Sequence, residues 1–252
     1  MTTRTYDDLE VVISDTNEAA GAAAAAAFAE AVKPILAERD RVAVILATGN
    51  SQLTFIKAVT ARDDIDWSRI TVLHMDEYLG MDEDHPASFR KWMRDNVMDK
   101  VQLGAFEGVL GDHEPAEEEV ERYSRLLTDL DPVICVMGIG ENGHLAFNDP
   151  PADFEPTELV RIVEMDEVSR RQQVGEGHFP TLEETPTHAI SLTIPALLRP
   201  DRVLVVTPEP RKAEIVKKSL EGPITPGVPA SYLRTQKHVT LFLDGDSSAL
   251  LD

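Results

Sequence analysis

Short apolar runs rich in β-branched residues recur along the chain, separated by stretches with helical periodicity, and no other feature narrows the fold as far. The runs are Leu9 to Ile13, Arg41 to Leu46, Ile70 to His74, Val133 to Met137, Arg202 to Val206 and His238 to Leu243. They are short and apolar at consecutive positions, which predicts buried strands. Helical patterns lie between them at Asn17 to Glu38, Leu53 to Ala61, Ser88 to Met98, Ala116 to Leu130 and Glu209 to Leu220. Strands alternating with helices predict an α/β fold, a doubly wound and mostly parallel sheet with helices on both faces, Rossmann-like in architecture. Ligand sites in such folds gather at the carboxyl edge of the sheet. The residues just after each strand are therefore the ones to search.

A chain of 252 residues is expected to form one domain, residues 1–252. Its formal net charge of −21 repels nucleic acid and anionic membranes, so neither is an expected partner. No stretch reaches about 18 consecutive apolar residues, and Asp7, Asp8, Glu10, Asp15 and Glu18 are unlike a basic signal region. A soluble, cytoplasmic protein is expected. The alanine-rich run Ala19 to Ala26 is flanked by Glu18 and Glu30 and predicts a close-packed helix. The acidic run Glu117, Glu118, Glu119 and Glu121 suits the positive end of a helix dipole and reads as a solvated face. Cys135, the only cysteine, falls within an apolar run and reads as a buried thiol, not a nucleophile. The acidic field opposes an anionic substrate at long range, so a site for one must carry its own positive groups or backbone N–H donors.

Three loops meet that requirement or place chemistry beside it. The run ending at Leu46 leads into Ala47-Thr48-Gly49-Asn50-Ser51 and then a helix, where small residues let the backbone approach an anion. The Gly-x-x-x-x-Gly-Lys-Ser/Thr spacing of a nucleotide loop is absent, and taken alone the segment fits a capped turn equally well. The run ending at His74 leads into Met75-Asp76-Glu77-Tyr78, whose carboxylates suit a general base or a helix cap. His74 and Asp76 lack third and fourth ligands at metal-site spacing, so no metal is expected. The run ending at Met137 leads into Gly138-Ile139-Gly140-Glu141-Asn142-Gly143-His144. Its glycines match a dinucleotide fingerprint, with Glu164 near the usual distance beyond. That fingerprint needs a long helix from the third glycine, and Asn148-Asp149-Pro150-Pro151 interrupts the chain within two turns. What remains is a glycine-shaped turn presenting His144, with Asp149 positioned to orient the imidazole.

Taken together, Thr48-Gly49-Asn50-Ser51, His74-Met75-Asp76-Glu77-Tyr78, His85-Pro86-Ala87-Ser88-Phe89, Gly138 through Asp149, and Arg211-Lys212-Ala213 resemble the ordered motifs of glucosamine-6-phosphate deaminases. The most specific pieces are Met-Asp-Glu-Tyr and Gly-His-Leu-Ala-Phe-Asn. The sister 6-phosphogluconolactonases typically carry Asp-Glu-Arg and Gly-His-Thr-Ala-Ser instead. The resemblance implies that Asp76 moves a proton between C2 and C1 of the open-chain sugar, that His144 helps to open the ring, and that Asp149 orients His144. It implies a phosphate held by Thr48, Gly49, Asn50 and Ser51, beside Gly138, with Lys212 and an arginine of Ser169-Arg170-Arg171, of which Arg171 aligns better. The deaminases usually have Asp where this chain has Asn142 and Glu where it has Asp149. No organic cofactor is implied, the small-molecule partner is a sugar phosphate, and a homo-oligomer is expected from the family's habit.

Overall fold

A computed structural model describes residues 1–252. Along the chain it forms β1 (Thr2–Tyr6), β2 (Leu9–Ile13), α1 (Asn17–Glu38), β3 (Val42–Leu46), α2 (Leu53–Thr60), β4 (Ile70–His74), β5 (Asp76–Tyr78), α3 (Phe89–Met93), β6 (Ala105–Glu107) and α4 (Ala116–Leu130). The second half adds β7 (Ile134–Met137), β8 (Val160–Glu164), α5 (Glu167–Gly175), β9 (His188–Leu192), α6 (Ile194–Leu198), β10 (Arg202–Val206), α7 (Ala213–Glu221) and β11 (Val239–Leu243). The main sheet has the order β1-β2-β11-β10-β7-β3-β4-β6. Every neighbouring pair in it is parallel except β1 with β2.

The predicted covering of both faces is visible residue by residue. Successive strand side chains point to opposite faces. In β3, Ala43 and Ile45 enter one apolar core while Val42, Val44 and Leu46 enter another. In β7, Cys135 and Met137 divide in the same way from Ile134 and Val136. Burial pushes the Cys135 thiol well up, as expected of an inert core residue.

Helix α1 is long and apolar enough to cross a bilayer by length and composition alone. Its stripe of Ala24, Ala25, Phe28, Ala29, Val32 and Leu36 instead packs with Val44, Leu46, Leu204 and Val206 of the sheet. Thr16 caps it, accepting the Ala19 N–H at 3.2 Å. A Cβ on Gly21 would come within 2.6 Å of the Thr54 carbonyl carbon, so the close approach of α1 to α2 requires glycine there.

A second, antiparallel sheet of order β5-β9-β8 has no counterpart in the apolar runs. It pairs Asp76 with Ser191 and Tyr78 with Ala189. Below it, Tyr78, Phe89, Phe147 and Phe179 form an aromatic cluster, with Tyr78 and Phe89 ring centroids 4.8 Å apart. The solvated-face reading of α4 needs one correction. Glu119 is buried, accepting Arg122 Nε at 2.6 Å and the Leu110 N–H at 2.9 Å, so it ties the helix to a loop.

Candidate active site

Strands β3 and β7 are neighbours, and the chain leaves β3 for β4 on one side while β7 lies on the other. A crevice is expected outside their carboxyl ends at such a reversal. A cleft open to solvent lies there. Thr48, Gly49, Asn50 and Ser51 line it from the loop after β3, Asp76 from the start of β5, Gly138 and His144 from the loop after β7, and Lys212 from the loop after β10. Gly49 has φ +96°, a conformation that favours glycine. A Cβ on Gly138 would stand 2.9 Å from Gln52 Nε2, so this glycine admits the Gln52 side chain into the wall.

The two carboxylates after His74 take different roles because they occupy successive positions of β5. Glu77 points inward and is the helix cap. It accepts Ser88 Oγ at 2.8 Å, the Phe89 N–H at 3.2 Å and the Arg90 N–H at 3.0 Å, with Arg90 Nε 3.6 Å away. Asp76 faces the cleft, is only 7% exposed, and has no such set of donors. Burial, followed by the adjacent Glu77 charge, pushes its carboxyl up to about 8. His74 is structural: its Nε2 accepts the Val109 N–H at 2.7 Å, and burial pushes the imidazole down to about 3. No three His, Cys, Asp or Glu side chains are grouped to hold a metal ion.

The His144 ring lies over Gly140, where a Cβ would overlap it. Its Nδ1 is 3.1 Å from Asp149 Oδ1 and 2.8 Å from Ser169 Oγ. Since the Ser169 hydroxyl donates to Asp149 Oδ1 at 2.8 Å, its oxygen is left to accept from Nδ1–H, which assigns the ring proton to Nδ1. Nε2 is then the basic nitrogen available to a substrate. For Asp149, burial raises the carboxyl, but His144, the Asn142 amide and the Asp166 N–H outweigh it and hold it below the usual range. Asn142 does not hydrogen-bond to the ring. Its Nδ2 donates to Asp149 at 2.9 Å and its Oδ1 accepts the His144 backbone N–H at 3.0 Å, so it fixes the imidazole's supports.

Lys212 is 2% exposed, and burial, then Arg211, pushes its ammonium down to about 8. Neighbouring Arg211 takes Glu141, Glu176 and Glu209, which leaves Lys212 without a carboxylate of its own. Arg171 does not reach the cleft. Its side chain is 65% exposed and pairs with Glu167 one turn back on α5. Arg170 also points away, donating to the Leu182 and Thr185 carbonyls. What α5 and the segment after it bring to the cleft is Gln172, Gln173, Glu176 and His178, with Ser169 behind His144. The signal for these was the capping Asp166 followed by polar residues at 169, 172, 173 and 176, one helical face.

Residues 15–242 match the family model of glucosamine-6-phosphate isomerases/6-phosphogluconolactonase. A glucosamine-6-phosphate deaminase of Streptococcus pneumoniae (strain Hungary19A-6) is 34% identical over 207 residues, 82% of this chain and 86% of that enzyme. Among solved structures, a monomeric glucosamine-6-phosphate deaminase superposes with a TM-score of 0.86 at 28% identity, covering 95% of this chain and 99% of that one. A 6-phosphogluconolactonase from Thermotoga maritima shares the fold, with a TM-score of 0.73 at 18% identity over 93% of this chain and 98% of its own. The chain therefore belongs to the family of glucosamine-6-phosphate isomerases and 6-phosphogluconolactonases.

Proposed function

We propose that this chain is a deaminating isomerase converting glucosamine 6-phosphate and water to fructose 6-phosphate and ammonia. The observation that carries the reading is Asp76, a desolvated carboxyl pushed up to about 8, in the same cleft as His144 and the unpaired Lys212. A base tuned towards neutral pH suits abstraction of a proton next to a carbonyl. Sequence identity to a deaminase over most of the chain supports the same choice.

His144 Nε2, with its tautomer set by Asp149 and Ser169, relays a proton from the sugar O1 hydroxyl to the ring oxygen and opens the ring. The Asp76 carboxylate then takes the C2 proton, and the electron pair flows onto the C1 carbonyl oxygen to give an enolate amine. Asp76 returns the proton to C1 as the nitrogen lone pair forms the C2=N bond, and one N–H proton passes to the C1 oxygen, leaving a hydroxyl at C1 and an imine at C2. Water adds there and ammonia departs, so nitrogen leaves as one neutral molecule for each water consumed. Lys212 and the Thr48 to Ser51 loop bind the phosphate; its dianion gives the buried ammonium a partner.

The test is ammonia release from glucosamine 6-phosphate alongside hydrolysis of 6-phosphogluconolactone. Ammonia and ketose formed in equal amounts support the reading. Lactone hydrolysis without ammonia sinks it.

A further inference from the structure

Arg211 touches the cleft wall through Ser51 and Glu176 and has no role in the reading above, and its setting is unusual. Strands β3 and β10 flank β7, and the loop after each follows the same path. Each has a residue in the glycine-favouring extended region, Gly49 at φ 96°, ψ 169° and Glu209 at φ 85°, ψ 145°. A three-residue 3-10 turn follows in both, Asn50–Gln52 and Pro210–Lys212, and then α2 or α7. The last turn residues also agree, Gln52 at φ −91°, ψ −13° and Lys212 at φ −92°, ψ −11°. This likeness sets Gln52 opposite Lys212, both buried in the cleft wall, and Ser51 opposite Arg211, whose Nη2 reaches Ser51 Oγ at 3.5 Å.

Glutamate is a poor residue for the Glu209 position, because the conformation is strained for any L side chain. The strained backbone is held by Asp244, whose two carboxylate oxygens accept the Glu209 N–H at 3.2 Å. A glutamate there supplies a carboxylate that accepts Arg211 Nε at 2.6 Å. Arg211 Nη1 donates to Glu176 at 2.7 Å and Glu141 at 3.1 Å. One guanidinium thus has three carboxylates, more than neutrality requires. Glu176 is a wall residue of the cleft, whereas the Glu141 and Glu209 side chains are 36% and 29% exposed and can turn to solvent.

We infer that Arg211 is the guanidinium that reads the anionic end of the substrate, and that Glu141 and Glu209 are counter-charges which hold it at the cleft mouth until a phosphate replaces them. This rests on the sugar-phosphate reading above. Across the mouth, Ser51 and Arg211 then close on the same phosphate from the two matched loops, with Lys212 beneath. A planar fork of donors suits a phosphate better than a second ammonium does. The acidic exterior makes the arrangement useful, since a bare cationic site in a chain of net charge −21 would otherwise fill with the protein's own carboxylates in an unspecific way.

The experiment is calorimetric titration of the full chain with inorganic phosphate and with glucosamine 6-phosphate, in wild type, Arg211→Ala and Glu209→Gln. Arg211→Ala is expected to weaken both ligands by about tenfold or more. Glu209→Gln is expected to tighten both by about two- to fivefold, the size of one partly exposed charge contact. A misfolded protein cannot bind more tightly, so the second variant guards the first. Unchanged affinity in Arg211→Ala, or weaker binding in Glu209→Gln, overturns the inference and makes the cluster a structural tie. Wild-type protein that binds the sugar phosphate but releases no ammonia refutes the deaminase reading and leaves the Arg211 assignment standing. Wild-type protein that binds neither ligand refutes both.

Discussion

Replacing Asp76 by asparagine should abolish turnover and, unusually for a buried polar site, stabilise the protein in a pH-dependent way. The native carboxyl keeps its proton up to about 8, whereas the same group in an unfolded chain releases it near its ordinary value of 3.8. Between those values the native state binds more protons than the unfolded state, so this residue's contribution falls as pH rises. It is fully present below the unfolded value and lost through the folded one. Each pH unit in that window removes about 1.4 kcal/mol, so the penalty is on the order of 4 kcal/mol at pH 7 and less than half of that at pH 5. Asparagine keeps the shape and cannot ionise. Its amide needs partners that the carboxyl does not, which makes 4 kcal/mol an upper bound. In a chain of this size that corresponds to a melting-temperature gain of at most about 8 to 16 °C at pH 7. Thermal and urea unfolding of both proteins at pH 5 and pH 8, with ammonia release in parallel, tests the argument. An equal shift at both pH values, or a loss of stability at pH 8, would refute a desolvated Asp76. Turnover near that of wild type would remove it from the mechanism.

Lys212→Met should raise KM for the 6-phosphate substrate by about 10- to 150-fold, the range for a hydrogen bond to a charged group, while the ligand-free melting temperature rises because a buried ammonium is gone. Unchanged KM would place the phosphate elsewhere. Gly140→Ala should lower kcat by at least about tenfold, because the new methyl overlaps the His144 ring and must displace it; a variant with wild-type kcat would contradict the ring's placement. For the wild type, kcat/KM should climb with pH towards about 8 as Asp76 ionises in the free enzyme, and a profile already level at pH 5 would contradict that role.

The parallel sheet was legible because its strands are apolar on both faces. The expected runs Ile70 to His74 and Arg202 to Val206 keep their ends in the structure, as do the helices Asn17–Glu38 and Ala116–Leu130. The second sheet was not legible. β5 has three residues, and its partner β9 lies more than a hundred positions away, so pairing and not local pattern defines it. β1 is a largely exposed, threonine-rich edge strand without an apolar run. The expected helix Ser88 to Met98 divides into α3 and a π-helical segment, Arg94–Met98, a change of hydrogen-bond pattern that apolar periodicity does not encode. At the site, motifs identified the residues that strand ends deliver to the cleft. The residue types alone left Asp76 and Glu77 open as base or helix cap, and only the family resemblance chose Asp76; alternation along β5 sends one to the cleft and the other to cap α3. Arg171 failed for a similar reason: sequence alignment carries a residue type but not the face of α5 on which it lies, and Glu167 holds it at the surface.

The most direct measurement is product analysis with wild-type protein and glucosamine 6-phosphate: ammonia by enzymatic assay and ketose phosphate by NMR, followed in deuterated water. The account predicts ammonia and fructose 6-phosphate in equal amounts, with C1 deuterium incorporated wherever Asp76 exchanges its proton with solvent before returning it. Ammonia-free turnover, or no reaction with this sugar while 6-phosphogluconolactone is hydrolysed, would contradict the central claim that this cleft performs a deaminating isomerisation.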